Sequence, residues 1–298
     1  MFWYVLGGAG VAFLVIVAYL LGRQGGNNPP RPPAKKKPAP QPVRSQPQPQ
    51  PQPVVQRPAP RPAPAPVQRQ VASSSHRKIE YAAGAALHFI NALHAEGVDR
   101  GAIYSLGTNF RIDQNFTTSK AHLEHALVNI GRSKPNENTA LYDSIALAID
   151  QFQKNARQNV PWVLIVLTDG KDNASQAFPH TDKRSPAAVG VLVHECFAKA
   201  RSNFFVLVGV GDQRSLDVEA IVTIGHFAQS PAIPLENFHL LEELFLKLVI
   251  QVNETIVGRT VQVGSQEFLE LARVRQVNKI GIDYALVIDR SGSMNDAC

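Results

Sequence analysis

Three stretches of this chain are apolar at almost every position: Trp162–Thr168 (WVLIVLT), 203–211 (NFFVLVGVG) and 281–288 (GIDYALVI). A strand with one wet face alternates apolar and polar residues. A run without alternation has to be covered on both faces, as parallel strands flanked by helices are. Helical periodicity fills the intervals: 76–97, 119–131, 139–157, 185–202, 214–225, 236–257 and 265–279. Ser119 and Pro186 supply helix-start signals and Gly97 a stop. Shorter strands are expected at 101–109, at 110–117 on an edge, and at 226–230 (HFAQS). Strands alternating with helices predict an α/β fold, a doubly wound, mostly parallel sheet flanked by helices.

Such sheets bind ligands beyond the carboxyl ends of their strands, so the residues after each apolar run carry the functional signal. DRSGSM follows the last strand, TDGKDN follows WVLIVL, and NENTALYDS opens the helix at 139–157. Together they offer Asp289, Ser291, Ser293, Thr139 and Asp169. All five are hard oxygen donors, and only two are carboxylates. That donor set suits Mg²⁺, with Mn²⁺ or Ca²⁺ as alternatives. Neutral hydroxyl ligands leave positive charge on the ion, so a coordination position left to water can be taken by a partner's carboxylate.

DRSGSM, Thr139 in NTALYDSIALA, and LTDGKDN resemble the three parts of the metal-ion-dependent adhesion site of von Willebrand factor A-type domains. The resemblance covers residues 76–256 and 282–295. It implies a Rossmann-like fold in which Asp289, Ser291, Ser293 and Thr139 contact the ion, and Asp169 does so directly or through water. It also implies a protein-binding module and not an enzyme. One feature departs from the family. There the Asp-x-Ser-x-Ser strand comes first and runs directly into a helix of the RKIEYAAGAALHFINAL type; here that helix precedes everything and the strand comes last. The domain therefore reads as circularly permuted. The last strand is expected to insert beside Trp162–Thr168 of its own molecule. A truncated second domain, or donation of the strand to a neighbouring chain, are the competing readings. On the permuted reading both ends lie beside the metal, where Asp296 or the terminal carboxylate could compete with ligand.

The rest of the chain is compositionally distinct. Residues 1–21 carry no charged side chain, and as a helix would span ~30 Å, the thickness of a hydrocarbon core. Trp3, Tyr4 and Tyr19 suit the interfaces, and the basic leader of a cleaved signal peptide is missing, so 1–22 is expected to be an uncleaved transmembrane helix. Lys and Arg follow the apolar run and none precedes it, which puts the N-terminus outside and the domain in the cytoplasm. N-x-S/T triplets at Asn115, Asn173 and Asn253 point weakly to the other side of the membrane. Residues 23–75 hold most of the chain's 22 prolines, too few apolar side chains to offset ordering, and nine Lys/Arg with no acid. They read as a disordered, Pro/Gln-rich basic linker of semi-rigid polyproline II, beside lipid head groups or simply solvated. Because the chain's net charge is only +6, the domain at 76–298 is net acidic without its tether, and no nucleic-acid partner is expected.

Two further functional classes compete with the binding module. One is a scaffold with a vestigial metal site, whose Pro-rich tether recruits aromatic grooves. The other is a Mg²⁺-dependent hydrolase or phosphotransferase, which would need a base and a phosphate-binding Lys or Gly-rich loop beside Asp289. No Walker loop or Gly-x-Ser-x-Gly elbow is present. His122 and His125 sit at a zinc-compatible spacing without a third ligand and read as surface residues. Cys196 reads as a half-buried filler, and Lys171 and Asp172 as flanks of the metal loop. The partner's identity and the oligomeric state are not legible.

Overall fold

The computed structural model describes residues 77–134, 138–200, 202–211, 214–257 and 267–296. The expected membrane helix at 1–22 and the Pro-rich linker lie outside them. Among the described residues no helix is long and apolar enough to cross a membrane.

The elements in chain order are α1 (Lys78–Leu93), β1 (Arg100–Leu106), β2 (Arg111–Thr117), α2 (Lys120–Arg132), α3 (Leu141–Asn155), β3 (Trp162–Thr168), α4 (Ser185–Phe197), β4 (Phe204–Val210), α5 (Val218–Ala228), β5 (Ala232–Leu235), α6 (Leu241–Val257), α7 (Glu267–Val277) and β6 (Asp283–Asp289). Six strands form one sheet in the order β2-β1-β6-β3-β4-β5. β1 and β2 pair antiparallel and every other pair is parallel. The last strand of the chain is thus an inner strand of the sheet. β6 pairs with β1 from Arg100↔Asp283 to Leu106↔Asp289, and with β3 from Trp162↔Asp283 to Leu167↔Ile288.

Every residue of β6 and of β3 is buried, as the unbroken apolar runs demand. Alternate residues face opposite layers. On one side Ala285 and Val287 of β6, with Leu164 and Val166 of β3, join a core with Ile145, Ile149 and Phe152 of α3 and Val189 and Val193 of α4. On the other, Phe89 of α1 packs against Phe245 of α6 and Tyr284 of β6, at ring-centroid separations of 5.7 and 6.1 Å.

The segment HFAQS is not a strand. α5 continues through Ala228, because Ile221, Ile224, Gly225 and Ala228 bury one helical stripe at i, i+3, i+4, i+7 spacing. It stops where Gln229 turns left-handed (φ 48°) before Pro231. The edge strand is the next segment, Ala232–Leu235, where Pro234 is tolerated because an edge strand leaves one side unpaired.

Buried ion pairs hold the start of β6. Asp283 receives the guanidinium groups of Arg100 and Arg157, and Arg157 adds its backbone N–H at 2.7 Å. Just ahead of the strand, Ile282 N–H donates to Asp99 at 3.0 Å. Asp99 also accepts from Ala95 N–H at 2.7 Å and from Arg275 of α7 at 2.7 and 2.9 Å. Arg275 is fully buried and reaches Asn253 Oδ1 of α6 at 2.6 Å and the Leu93 carbonyl at the end of α1. Asn253 is itself buried, so the triplet beginning there is closed to glycosylation in this fold.

Truncating one partner of a buried pair strands the other charge without solvent, which costs about 3–5 kcal/mol. Arg275→Ala is expected to destabilise the domain by that order in chemical unfolding; a loss below about 1 kcal/mol would mean that Asp99 regains water.

Candidate metal centre

β6 and β3 are parallel neighbours, so their carboxyl ends finish side by side. Asp289 is the last residue of β6 and Thr168 the last of β3. The Thr168 hydroxyl donates to Asp289 Oδ2 at 2.6 Å, and Ser291 N–H donates to Oδ1 at 2.7 Å. Asp169 follows β3 and is equally buried. Its Oδ1 accepts the Ser293 hydroxyl at 2.7 Å and the Ser291 hydroxyl at 3.5 Å, and the two serine oxygens lie 2.9 Å apart. These hydroxyls come from the turn after β6, where a short 3₁₀ segment (Gly292–Asn295) follows Ser291.

Thr139 enters from the loop before α3. Its N–H donates to Asn173 Oδ1 at 2.7 Å, and its carbonyl accepts from the N–H groups of Asn173 and Ala174 at 2.9 and 3.1 Å. Gly170 then defines the shape of the centre. A Cβ at that residue would lie 3.3 Å from Thr139 Oγ1, 3.6 Å from Ser293 Oγ and 4.0 Å from Ser291 Oγ. Any side chain there would fill the space that the three hydroxyls border.

All five residues singled out in the sequence therefore belong to one cluster. The donor set fits a small, hard divalent cation: two carboxylates and three hydroxyls around a glycine-lined space. Among the described residues no three His, Cys, Asp or Glu side chains come together as a metal site. The chemistry of this cluster rests on hydroxyls in place of further acids. His122 and His125 are exposed on α2, where His125 meets Asn129 at 3.2 Å. Cys196 is fully buried.

Two residues have roles that the sequence did not disclose. Asp172, expected to flank the metal loop, is buried and acts as an anchor. It accepts from Tyr142 N–H at 2.9 Å and from the Ser175 hydroxyl at 2.5 Å, which ties the start of α3 to the loop after β3. Asp143 reinforces the tie by accepting from the N–H groups of Gln176, Ala177 and Phe178. Lys78, the first residue of α1, places its ammonium 3.1 Å from Asp169 Oδ2. A helix-start acid such as Asp143 is a local signal; a lysine ninety-one residues from its partner carries none.

Electrostatics mark the pair of acids. Burial, and then the charge of Asp169 beside it, push the Asp289 carboxyl up to about 7 against the hydrogen bonds from Thr168 and Ser291. Burial also raises Asp169, opposed by the Ser293 hydroxyl and the Lys78 ammonium.

Residues 69–171 match the family model described as the von Willebrand factor type A domain. The match covers about a third of the chain and takes in α1 to β3 of the six-stranded α/β sheet described above. Similar solved structures include a von Willebrand factor type A protein from Catenulispora acidiphila, at 16% identity and a TM-score of 0.48, over 59% of this chain and 38% of that one. This chain thus spans well under half of that structure's length. A conserved hypothetical protein BatB from Bacteroides thetaiotaomicron aligns at 15% identity and a TM-score of 0.43, over 59% of this chain and 87% of that one. An aerotolerance-related membrane protein from Bacteroides fragilis aligns at 14% identity and a TM-score of 0.41, over 57% and 87%. No curated protein matches the chain.

The raised Asp289 carboxyl has a consequence for stability whose sign is the reverse of a salt-bridged aspartate's. An unfolded aspartate ionises near pH 4, so the folded state holds this proton more tightly. Its stabilising contribution is whole below about pH 4 and is lost as pH rises through about 7. In chelator, the thermal midpoint is expected to fall between about pH 5 and about pH 8, and to fall less in Asp289→Asn. Equal slopes for the two proteins would contradict the assignment.

Proposed function

We propose that this domain is a divalent-metal-dependent protein-binding module. Asp289, Ser291, Ser293, Thr139 and Asp169 would hold one Mg²⁺, and the ion when bound would supply a hard positive centre for an exposed Asp or Glu of a protein partner. The observation that carries this reading is the convergence of residues from three separate loops: three hydroxyls around the space at Gly170, Asp169 bonded to two of them, and Asp289 bonded to the Ser291 N–H. Asp289 and Asp169 supply the negative charge, and the three hydroxyls complete the shell without neutralising the ion. The ladder of β6 and the anchors at Asp172 and Asp143 set these groups in place before any ligand arrives.

The reading extends to the architecture. The domain is proposed to be circularly permuted, with its Asp-x-Ser-x-Ser strand moved to the C-terminal side. The close approach of the two described ends favours this: Lys78 N–H donates to the Asp296 carbonyl at 3.1 Å. An N-terminal membrane helix and the Pro-rich spacer would tether the domain on the cytoplasmic side.

A hydrolytic role finds one supporting element in Lys78, a cation near the two acids. Against it, no base and no Gly-rich phosphate-binding loop stands beside Asp289 in the sequence, and both of its oxygens are engaged by Thr168 and Ser291.

Calorimetric titration of the chain with Mg²⁺ should give one site. Asp289→Ala should abolish it, and Thr139→Val should weaken it by roughly tenfold or more, since an ordered ligand shell loses its geometry with each member. Capture of a partner that withstands Mg²⁺ and is lost with chelator, with no turnover of generic phosphoesters, would complete the case. Mg²⁺ binding that is unaffected by Asp289→Ala would end it.

A further inference from the structure

Lys78 is held at the oxygen cluster from several directions. Its ammonium donates to Asp169 Oδ2 at 3.1 Å, and it lies 4.0 Å from the Asp296 carboxylate and 5.9 Å from the centroid of the Phe238 ring. Its backbone N–H is bonded to the Asp296 carbonyl at 3.1 Å. The side chain is 19% exposed, whereas the Asp169 carboxylate it meets is wholly buried. That same carboxylate takes the Ser293 and Ser291 hydroxyls on its other oxygen. One buried acid is thus shared between an internal cation and the hydroxyls of the candidate metal shell.

We propose that Lys78 is an internal counter-ion that competes with the divalent cation for Asp169. This rests on the metal reading given above. Without metal, two buried carboxylates interact, and among the described residues Lys78 is the cation that hydrogen-bonds one of them, Asp169. With metal, an ammonium on the same carboxylate would face a dication across a few ångströms of low-dielectric interior, where like charges repel strongly. Cation binding therefore requires Lys78 to withdraw from Asp169. The flexible four-carbon stem allows this, and the exposed Asp296 carboxylate offers an alternative partner. Because the Lys78 main chain is fastened to Asp296, the exchange acts on the first turn of α1 and on the turn that carries Ser291 and Ser293. The lysine sets metal affinity and is not a ligand itself.

The test uses the full chain as wild type, Lys78→Met and Lys78→Arg, with Asp289→Ala as a site-dead control. Mg²⁺ affinity is read by calorimetry, and thermal unfolding is followed in chelator. Lys78→Met should bind Mg²⁺ roughly tenfold more tightly than wild type, the factor that a lost competing ion pair of ordinary strength produces. In chelator it should unfold at a lower temperature than wild type. Lys78→Arg should retain the weaker, wild-type-like affinity and the stability. Measurable binding with equal or lower affinity in Lys78→Met would overturn the competition and leave the metal reading standing. Absence of binding in both wild type and Lys78→Met, as in Asp289→Ala, would overturn the metal reading and the competition with it.

Discussion

The structure depends on the insertion of β6 between β1 and β3. Without that strand the sheet would be two pieces, β2-β1 and β3-β4-β5, with no ladder between them. β6 is buried along its whole length, so its backbone groups must be satisfied by neighbours, and parallel ladders on both sides do this. Its pairing also decides the chemistry. A shift of one residue would turn Asp289 to the opposite face of the sheet and separate it from Thr168.

The two ends of this strand use the same residue type for opposite purposes. At its start, Asp283 and the neighbouring Asp99 are matched by Arg100, Arg157 and Arg275, and their remaining lone pairs take backbone N–H groups. Guanidinium groups suit this work, since they stay charged and fork onto carboxylates. At its end, Asp289 and Asp169 meet hydroxyls and a single ammonium. There the negative charge is left only partly compensated, and the Asp289 carboxyl titrates far above its ordinary range. Matched charges hold the start of the strand, and the less compensated pair at its end is the one for which a cation is proposed.

Much of this was legible from local pattern. The unbroken apolar runs implied parallel strands covered on both faces, and the small oxygen-bearing residues after them named the cluster. The pattern misled at HFAQS, where a five-residue window could not reveal that the stripe of Ile221, Ile224 and Gly225 extends to Ala228. It placed Asp172 only as a flank of the metal loop, since a polar residue in a loop reads alike whether it faces water or caps a helix in the interior. It was silent on Arg275. An arginine on a helix with charged neighbours reads as solvated, and only the meeting of α7, α6 and the segment before β1 makes it a buried clamp.

Outside the segment around HFAQS, the linear order of residues was sufficient to determine which segments become strands and helices, which strands must lie inside, and which donors stand at their carboxyl ends. These properties arise from periodicity and side-chain chemistry, which act within a few residues. Tertiary structure decided that Asp289 comes to rest against Thr168, that Gly170 leaves room among three hydroxyls, and that Lys78 reaches Asp169 from ninety-one positions away. Contacts of that kind depend on how layers pack and on how a low-dielectric interior matches its charges, and no local stretch of sequence contains that information.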